Sequence, residues 1–340
     1  MPGNDWNSIG MEQRPATVGV SYLIPPDLDR FLEKFEDRVM GIAAFGETTP
    51  FLTVGNLPFV HVPMATLETD RIYEVWTSDR PVFHERDGSI ASARSDQVLF
   101  GCLQGFENGP GLHDVTRRAY TEIFDFLEGT GYNKLLRIWN YFPRITDVED
   151  NEERYRKFNS GRHEAFFSMV RYRELIPAAS ALGSLTGPLT IYFLAAREAG
   201  LPVENPRQVS AYRYPSQYGT RSPFFSRAMR TNLGGSPLLL ISGTSSIVGH
   251  ESAHSRDPEA QTRETITNIR ALLANGESLG FKPAQRGLTL KAYIRHREHY
   301  SLIRRTVVEE FGSGTKVVYL QADICRPELL VEIEGLCPSA

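Results

Sequence analysis

Two stretches of the chain follow the same order of predicted elements, and this repeat limits the fold more than any other feature of the sequence. The first stretch contains strand 97–105, helix 114–129, strand 135–142, helix 151–171 and strand 189–195. The second contains strand 237–243, helix 258–275, strand 288–295, helix 298–311 and strands 316–322 and 329–334. Each unit is β-α-β-α-β, which favours helices on one face of a sheet. A repeat of about 100 residues is too long for a solenoid, so it predicts duplicated domains.

The segment before the repeat is rich in strands. They are predicted at 16–24, 59–64 and 72–76, and Asp87-Gly88 is the dipeptide of a tight hairpin turn. This segment is either a third sheet layer or a degenerate third copy of the repeat. We therefore predict an α+β fold in four parts: a strand-rich N-terminal segment (1–95), module 1 (96–200), a connector (201–236) with one strand at 208–214, and module 2 (237–340).

The composition is that of a soluble globular protein, with 41% hydrophobic and 23% charged residues. No apolar run approaches the roughly 18–20 residues that cross a bilayer. The formal net charge of −4 argues against a nucleic-acid partner. Cys102, Cys325 and Cys337 form no C-x-x-C pair, and no basic segment precedes an apolar stretch at the N-terminus. We therefore expect a reducing, cytoplasmic location.

Short motifs give no support for a metal or a nucleotide cofactor. Residues 250–254 match H-E-x-x-H, but a zinc site of that type needs both imidazoles on one face of a helix. Gly249 precedes the motif and Pro258 begins the next predicted helix only after it, so the motif is predicted to lie in a loop. The chain contains no G-x-G-x-x-G, Walker A or G-x-S-x-G string. We therefore expect neither a metal nor a cofactor.

The connector concentrates positive charge in a chain that is net acidic. Against one acid, Glu204, it carries five arginines and three tyrosines: Arg207, Arg213, Arg221, Arg227, Arg230, Tyr212, Tyr214 and Tyr218. Guanidinium groups bind carboxylates through paired hydrogen bonds, and tyrosine adds a further donor. The segment is therefore either an anion clamp or a solvated loop whose arginines pair with acids elsewhere.

Two glutamates lie on one face of the last predicted strand. Because side chains alternate along a strand, Glu332 and Glu334 point the same way. Neighbouring like charges are unfavourable unless that face is solvated or the charges have a role. Burial would raise the pKa of such a glutamate, as a general acid requires, whereas the alternative is a solvent-facing edge strand. Cys325 lies just upstream, and a lone cysteine is more often an inert buried residue than a nucleophile.

Longer strings of the sequence resemble known families. Module 2 resembles the RidA (YjgF) family at 241–243, 259–262, 268–269 and 330–334, although the arginine that the family carries on the strand before the last is absent from 315–318. The whole chain is more similar to the chorismatases, which resemble two fused RidA-like domains. The strings that carry this resemblance lie within about residues 95–335: RIWNY (137–141), NSGRHEAF (159–166), YRYP (212–215), YGTRSPFFSRA (218–228), SGTSSIVGHES (242–252) and 325–332.

This resemblance implies an enzyme that splits the enolpyruvyl ether of chorismate into pyruvate and a six-membered-ring acid, at a site between the modules. It implies Glu332 as the proton donor. It also implies Cys325 as a mark of the type that forms 3-hydroxybenzoate, with 4-hydroxybenzoate as a second candidate product. The implied substrate contacts are Asn159, Arg162, Tyr212, Tyr214, Arg221, Gly243, Thr244 and Ser245. The implied partner is chorismate, with neither nucleic acid nor membrane, for a monomer or a small homo-oligomer.

Three alternatives stay open at the level of sequence. The first is hydrolysis of chorismate to pyruvate and 3,4-dihydroxycyclohexa-1,5-diene carboxylate. The second is a RidA-like imine deaminase, and the third is a protein that binds aromatic acids without turning them over.

Overall fold

The protein is an α+β structure in which helices cover three sheets, as the sequence predicts. The structure is a computed structural model that describes residues 18–50, 55–109, 111–169, 176–233, 235–284 and 287–340. The start predicted for strand 16–24 and the end predicted for helix 151–171 lie outside these residues. No helix within the described ranges is long and apolar enough to cross a membrane.

The N-terminal unit is a small sheet with one α-helix. Its elements are β1 (Val18–Leu23), α1 (Pro25–Phe35), β2 (Val39–Gly46), β3 (Phe59–Pro63) and β4 (Ile72–Ser78). The strand order is β1-β4-β2-β3, with β2 and β3 parallel and the other pairs antiparallel. Helix α1 begins with two prolines, which suit the first turn. Its buried Leu28 packs against strand residues such as Leu23 and Ile42.

Module 1 is a six-stranded sheet with two long helices on one face, and it begins earlier than the predicted boundary at 96, because two of its strands lie within 83–94. Its elements are β5 (Phe83–Asp87), β6 (Ile90–Arg94), β7 (Val98–Gly105), α2 (Leu112–Thr130), β8 (Lys134–Pro143), the short strands β9 (Val148–Glu149) and β10 (Glu152–Glu153), α3 (Arg154–Ser168), β11 (Ala178–Ser184) and β12 (Leu189–Ala196). The strand order is β11-β8-β12-β7-β6-β5. The hairpin predicted at Asp87-Gly88 joins β5 to β6, and Gly88 adopts a positive φ of 57°.

Module 2 has the same architecture, and its sheet includes two strands from the segment 201–236 that was predicted to be a connector. Its elements are β13 (Leu201–Val203), β14 (Ala228–Leu233), β15 (Ser236–Ser245), the short strands β16 (Ile247–Val248) and β17 (Glu251–Ser252), α4 (Pro258–Ser278), β18 (Thr289–Ile294), α5 (Tyr300–Phe311), β19 (Lys316–Gln321) and β20 (Val331–Pro338). The strand order is β13-β14-β15-β20-β18-β19. Helix α4 begins at Pro258 as predicted, and the Asp257 side chain accepts a hydrogen bond from the backbone N–H of Ala260 at 2.9 Å.

The same four-strand order occurs in all three sheets. In each, the first strand pairs with the fourth, the fourth with the second, and the second with the third: β1-β4-β2-β3, β7-β12-β8-β11 and β15-β20-β18-β19. The last pair is parallel in every case. Of the two interpretations left open by the sequence, the topology therefore supports a degenerate third copy. No helix occurs among the described residues between β2 and β3, where modules 1 and 2 carry their second helix.

One predicted strand was wrong, and the elements α1, β2, β11, β13 and β14 were not predicted. The strand expected at 208–214 is instead irregular chain with a 3₁₀ turn at Ala211–Arg213. Its aromatic residues make tertiary contacts rather than cross-strand pairs, since Tyr212 packs on the module 1 core and Tyr214 bonds Arg227. Strand β11 was not predicted, because its sequence AASALGS consists of small residues with weak strand preference.

The three sheets turn one face toward a shared core that contains strand and loop residues but none from the helices. This core includes Phe45, Tyr141 and Tyr293, which occupy equivalent positions on the second strands of the three units. The ring centroids of Phe45 and Tyr141 are 5.8 Å apart, and those of Tyr141 and Tyr293 are 6.4 Å apart. The helices pack on the opposite faces of the sheets, in separate apolar clusters.

Charged side chains from all three units meet inside this core. Lys291 Nζ lies 2.6 Å from Glu74 Oε2 and 2.7 Å from Glu334 Oε1, and Arg137 Nη2 lies 2.7 Å from Glu334 Oε2. The four side chains are 3% exposed or less. Burial lowers the pKa of Lys291, but the carboxylates of Glu334 and Glu74 outweigh it and hold the pKa above the ordinary value. The central network (Glu74, Arg137, Lys291, Glu334) therefore joins the three units through buried ion pairs.

Lys291→Met should destabilise the protein strongly. The change leaves two buried carboxylates near one remaining arginine, and breaking a buried ion pair from one side costs about 3–5 kcal/mol. Urea unfolding followed by circular dichroism measures the free energy of unfolding. The matched control Lys282→Met, at an exposed lysine, should change it by less than about 0.5 kcal/mol. Equal stability of the two variants would contradict a structural role for the network.

Candidate active site

A cleft of about 390 Å³ lies at the seam between modules 1 and 2. Strand β11 and helix α3 of module 1 form one wall, and strands β15 and β20 of module 2 form the other. The connector closes one side, and the loop before β20 contributes Cys325 to Glu328. The lining side chains are Glu153, Tyr155, Arg156, Arg162, Ser180, Tyr214, Gln217, Tyr218, Phe225, Arg227, Ser245, Ile247, Cys325, Arg326, Pro327, Glu328 and Glu332.

Glu332 is the buried acid of the cleft. Strand alternation sends Val331 and Ile333 toward the helices, and Glu332 and Glu334 to the other face. Glu332 is 5% exposed, and its Oε2 accepts a hydrogen bond of 3.3 Å from Ser245 Oγ. Burial, together with the charge of Glu334, raises the pKa of Glu332 to about 8. The carboxyl group is therefore mainly protonated near neutral pH.

Gly243 makes room for this carboxyl group. The pairing of β15 with β20 is irregular between Ile241 and Thr244, so a bulge adjoins the cleft. A Cβ atom on Gly243 would overlap Oε1 of Glu332. The residue at this position must therefore be glycine for Glu332 to lie against the strand.

Two buried arginines face the cleft from different parts of the chain. Arg162 lies on α3, is 2% exposed, and donates from Nη2 to Asn159 Oδ1 at 2.8 Å. Arg227, at the end of the connector, is 4% exposed and donates from Nη2 to Tyr214 Oη at 2.7 Å. The Nε atoms of both arginines are buried without an acceptor. Buried guanidinium groups with unused donors indicate sites for anions.

Aromatic and cationic side chains line the cleft further along the connector. The guanidinium carbon of Arg326 lies 4.0 Å from the ring centroid of Tyr218 and 5.4 Å from that of Tyr214. Arg326 also donates from Nη1 to the backbone oxygen of His250 at 3.0 Å. Tyr218 Oη and His250 Nδ1 are 3.2 Å apart. These contacts hold the connector against module 2.

The structure brings together most of the residues expected at the site. Arg162, Tyr214, Gly243, Ser245, Cys325 and Glu332 all line the cleft. The other four do not. Asn159 lies behind Arg162, Tyr212 packs on the module 1 core, the Thr244 hydroxyl donates to the backbone oxygen of Ser242, and Arg221 is exposed.

Arg227 takes the place in the cleft that the sequence suggested for Arg221. Both arginines belong to the same basic segment, and composition alone does not distinguish them. Arg227 lies next to the first residue of β14, Ala228, which fixes its backbone within the module 2 sheet. Arg221 is part of an irregular loop. Sequence reasoning also missed Tyr155 and Ser180, for which no motif gave a signal, and Arg326, which lies in the string 325–332 but was given no role.

Cys325 lies in the cleft as a thiol rather than a thiolate. Burial, followed by the charge of Glu332, raises the pKa of Cys325 to about 12. Because the thiolate is the nucleophilic form of cysteine, this environment does not activate the residue for covalent attack. The Cys325 side chain therefore shapes the cleft beside Glu332.

The H-E-x-x-H string has the geometry of a hairpin. His250 lies in the turn between β16 and β17, and Glu251 begins β17. His254 Nε2 lies 3.3 Å from Glu264 Oε2. The two imidazoles do not share a helix face, and no group of three or more His, Cys, Asp or Glu side chains suited to a metal was found in the described ranges.

Comparison with known proteins identifies relatives along almost the whole chain. Residues 74–195 match the family described as chorismatase FkbO/Hyg5-like, N-terminal. A 3-hydroxybenzoate synthase from Streptomyces hygroscopicus is 35% identical over 312 residues, which cover 88% of this chain and 91% of that protein. A chorismatase from Streptomyces rapamycinicus is 38% identical over 289 residues, which cover 82% and 86%. The chain belongs to the chorismatase family.

The fold of the chain is that of a solved chorismatase. The crystal structure of that protein at 1.08 Å resolution aligns with this chain at a TM-score of 0.86 and 33% identity. The alignment covers 94% of this chain and 98% of the solved chain. The predicted family and fold are thus confirmed. A smaller protein of the YjgF family from Mycobacterium tuberculosis is 22% identical and aligns with a TM-score of 0.26. The alignment covers 33% of this chain and 85% of the YjgF-family chain.

Glu332→Gln should make protein stability less dependent on pH. The folded chain binds the Glu332 proton more tightly than the unfolded chain, whose carboxyl has a pKa of 4.5. The resulting stabilisation is complete below pH 4.5 and is lost as the pH rises through about 8. Between about pH 6 and pH 9 we expect the parent protein to lose on the order of 1–3 kcal/mol more than the variant.

Urea unfolding at several pH values measures this difference. The control Glu277→Gln, at an exposed glutamate, should leave the pH dependence of the parent protein unchanged. Parallel curves for the parent protein and Glu332→Gln would show that Glu332 ionises like an exposed carboxyl group.

Proposed function

We propose that this member of the chorismatase family cleaves the enolpyruvyl ether of chorismate and releases pyruvate and 3-hydroxybenzoate. The observation that carries the proposal is a carboxylic acid, Glu332, that stays protonated near neutral pH inside a cleft with two buried arginines. The names of the relatives, 3-hydroxybenzoate synthase and chorismatase, support chorismate as the substrate.

The charge pattern of the cleft fits this substrate. Chorismate carries two carboxylates, and Arg162 and Arg227, which both line the cleft, offer each of them a guanidinium partner. Arg162 belongs to module 1 and Arg227 adjoins a strand of the module 2 sheet, so a ligand that binds both would bridge the seam. Tyr155 and Phe225 add apolar surface for a six-membered ring.

The chemistry requires a proton donor before anything else. In the proposed mechanism, Glu332 delivers its proton to the methylene carbon of the enol ether, and an oxocarbenium ion forms. The carboxylate left on Glu332 then stabilises that cation until an oxygen nucleophile traps it. The adduct collapses to pyruvate, and a proton returns to Glu332. No cofactor takes part in these steps.

The fate of the ring distinguishes the two products of chorismate cleavage. Trapping of the cation by water consumes one water molecule and leaves the dihydroxycyclohexadiene acid. A hydroxybenzoate differs from that acid by the loss of one water molecule, so its formation consumes none overall. We propose the hydroxybenzoate, because Cys325 lies in the cleft and a relative at 35% identity is a 3-hydroxybenzoate synthase.

The proposed setting of the enzyme follows from its architecture. Three copies of the repeat in one chain already enclose the shared core, so we propose a monomer or a small homo-oligomer. Cys102, Cys325 and Cys337 are free thiols, which supports the proposal of a reducing, cytoplasmic compartment.

Glu332→Gln should abolish pyruvate release from chorismate. Glutamine keeps the shape of the side chain but has no acidic proton, so we expect kcat to fall by at least about 10³-fold. Coupled assay of pyruvate measures the loss, and calorimetry with chorismate should still show binding. In the parent protein, kcat/KM should decline as the pH rises above about 8, because Glu332 then loses its proton.

The same assays separate the rival functions. Release of ammonia from 2-iminopropionate, without pyruvate from chorismate, would identify an imine deaminase. Binding of chorismate without turnover by the parent protein would identify a binding protein. Undiminished turnover by the Glu332→Gln variant would remove Glu332 from the mechanism.

Cys325→Ala should shift the product toward the dihydroxycyclohexadiene acid. Loss of the thiol enlarges the cleft beside Glu332 and admits water to the position where the cation is trapped. HPLC of the ring products after incubation with chorismate measures their ratio. The control Cys337→Ala removes a buried thiol from the module 2 core and should leave the ratio unchanged. An unchanged ratio in Cys325→Ala would exclude Cys325 from product choice.

A further inference from the structure

Ser180 connects the cleft to the central network. Its Oγ accepts hydrogen bonds from Arg137 Nη2 at 2.6 Å and from the backbone N–H of Gly243 at 2.9 Å, and it donates to Glu334 Oε2. A serine hydroxyl has one hydrogen and two lone pairs, so these three bonds use its whole capacity. Ser180 therefore lines the cleft without a donor left for a ligand.

Glu334 is held as a carboxylate by donors from both modules. In addition to Ser180 and Arg137, it accepts from Lys291 at 2.7 Å, Trp139 Nε1 at 2.9 Å and Tyr293 Oη at 3.0 Å. Burial raises the pKa of Glu334, but Lys291 and Arg137 outweigh it and hold the pKa below the ordinary value. The side chain is 2% exposed, so its charge is poorly screened by solvent.

Glu332 experiences this charge directly. The two residues share one face of β20, and alternate residues on a strand lie about 7 Å apart. In a buried environment a negative charge at that distance opposes ionisation of a second carboxyl group. The other titratable or polar groups around Glu332 include Ser245 on β15, Arg137 on β8, Arg227 just before β14, Arg162 and Tyr155 on α3, and Cys325 in the loop before β20.

We propose that Glu334 and Ser180 are positioning residues for Glu332. The fixed charge of Glu334 adds to the effect of burial in keeping Glu332 in its neutral, proton-donating form, and Ser180 anchors the Gly243 backbone against which the Glu332 carboxyl group lies. The inference deepens the proposed function, on which the consequences for turnover rest. Neither residue contacts the substrate in this scheme.

Titration of Glu332 without substrate tests the first part. Protein labelled with ¹³C at glutamate carboxyl groups is titrated by NMR, and the Glu332 signal is assigned by its loss in Glu332→Gln. In Glu334→Gln the pH of half-ionisation should fall by about one unit or more. The kcat/KM profile should move to lower pH by the same amount. A folded variant with an unshifted titration would overturn the coupling.

Glu107→Gln is the matched control, because Glu107 also pairs with a buried arginine, Arg154, but does not line the cleft that holds Glu332. It should leave the Glu332 titration in place. Since the titration needs no substrate, it stays informative if the parent protein fails to release pyruvate from chorismate, a result that would refute the proposed function alone.

Ser180→Ala tests the second part and also serves if Glu334→Gln does not fold. Loss of the hydroxyl frees the Gly243 N–H and loosens the support of Glu332, so kcat should fall by about tenfold or more while KM stays within about twofold. The control Ser184→Ala, on the same strand, removes a hydroxyl that bonds only the Thr186 backbone oxygen and should retain the parent kcat. A parent-like kcat in Ser180→Ala would overturn the role of Ser180.

Discussion

The buried ion network of Glu74, Arg137, Lys291 and Glu334 is the interaction on which the rest of the structure depends. Each of the three units contributes at least one charged group to it, and the four side chains are 3% exposed or less. Their ionised forms are favourable only while all partners stay in place. The network therefore fixes the position of module 1 relative to module 2. This relative position determines the geometry of the cleft between them.

The same network gives the cleft its chemistry. Glu332 and Glu334 are alternate residues of one strand, yet they differ in ionisation because their surroundings differ. Glu334 is surrounded by cations and donors, whereas Glu332 has one weak hydrogen bond from Ser245 and the charge of Glu334 nearby. Two carboxyl groups whose pKa values are driven apart by their environments are a usual arrangement in acid–base catalysis. In the proposed function, the Glu334 carboxylate has a structural role and the Glu332 carboxyl group donates the proton.

Part of this arrangement could be predicted from the sequence. Strand alternation alone placed Glu332 and Glu334 on one face, and helical periodicity located α4 and α5 to within a few residues. The burial of Glu332 could not be derived, because it depends on β11, whose small residues gave no strand signal. Nor could composition select Arg227 over Arg221, since the choice depends on which residue adjoins β14. The third copy was ambiguous because its similarity to the others lies in strand order and not in residues.

The repeated strand order has a consequence for binding stoichiometry. Glu332 lies opposite Tyr293 in the strand pairing, and the corresponding positions opposite Tyr141 and Phe45 are Thr190 and Ile72. Neither a threonine nor an isoleucine can release a proton as a carboxylic acid does, and Thr190 is already engaged by the side-chain amide of Gln104 at 3.2 Å. The three units thus have equivalent positions related by an approximate threefold repeat. Of Ile72, Thr190 and Glu332, only Glu332 carries a carboxyl group. In the proposed function, each chain therefore uses the seam that carries Glu332, and the equivalent positions in the other two units hold buried packing residues, Thr190 and Ile72.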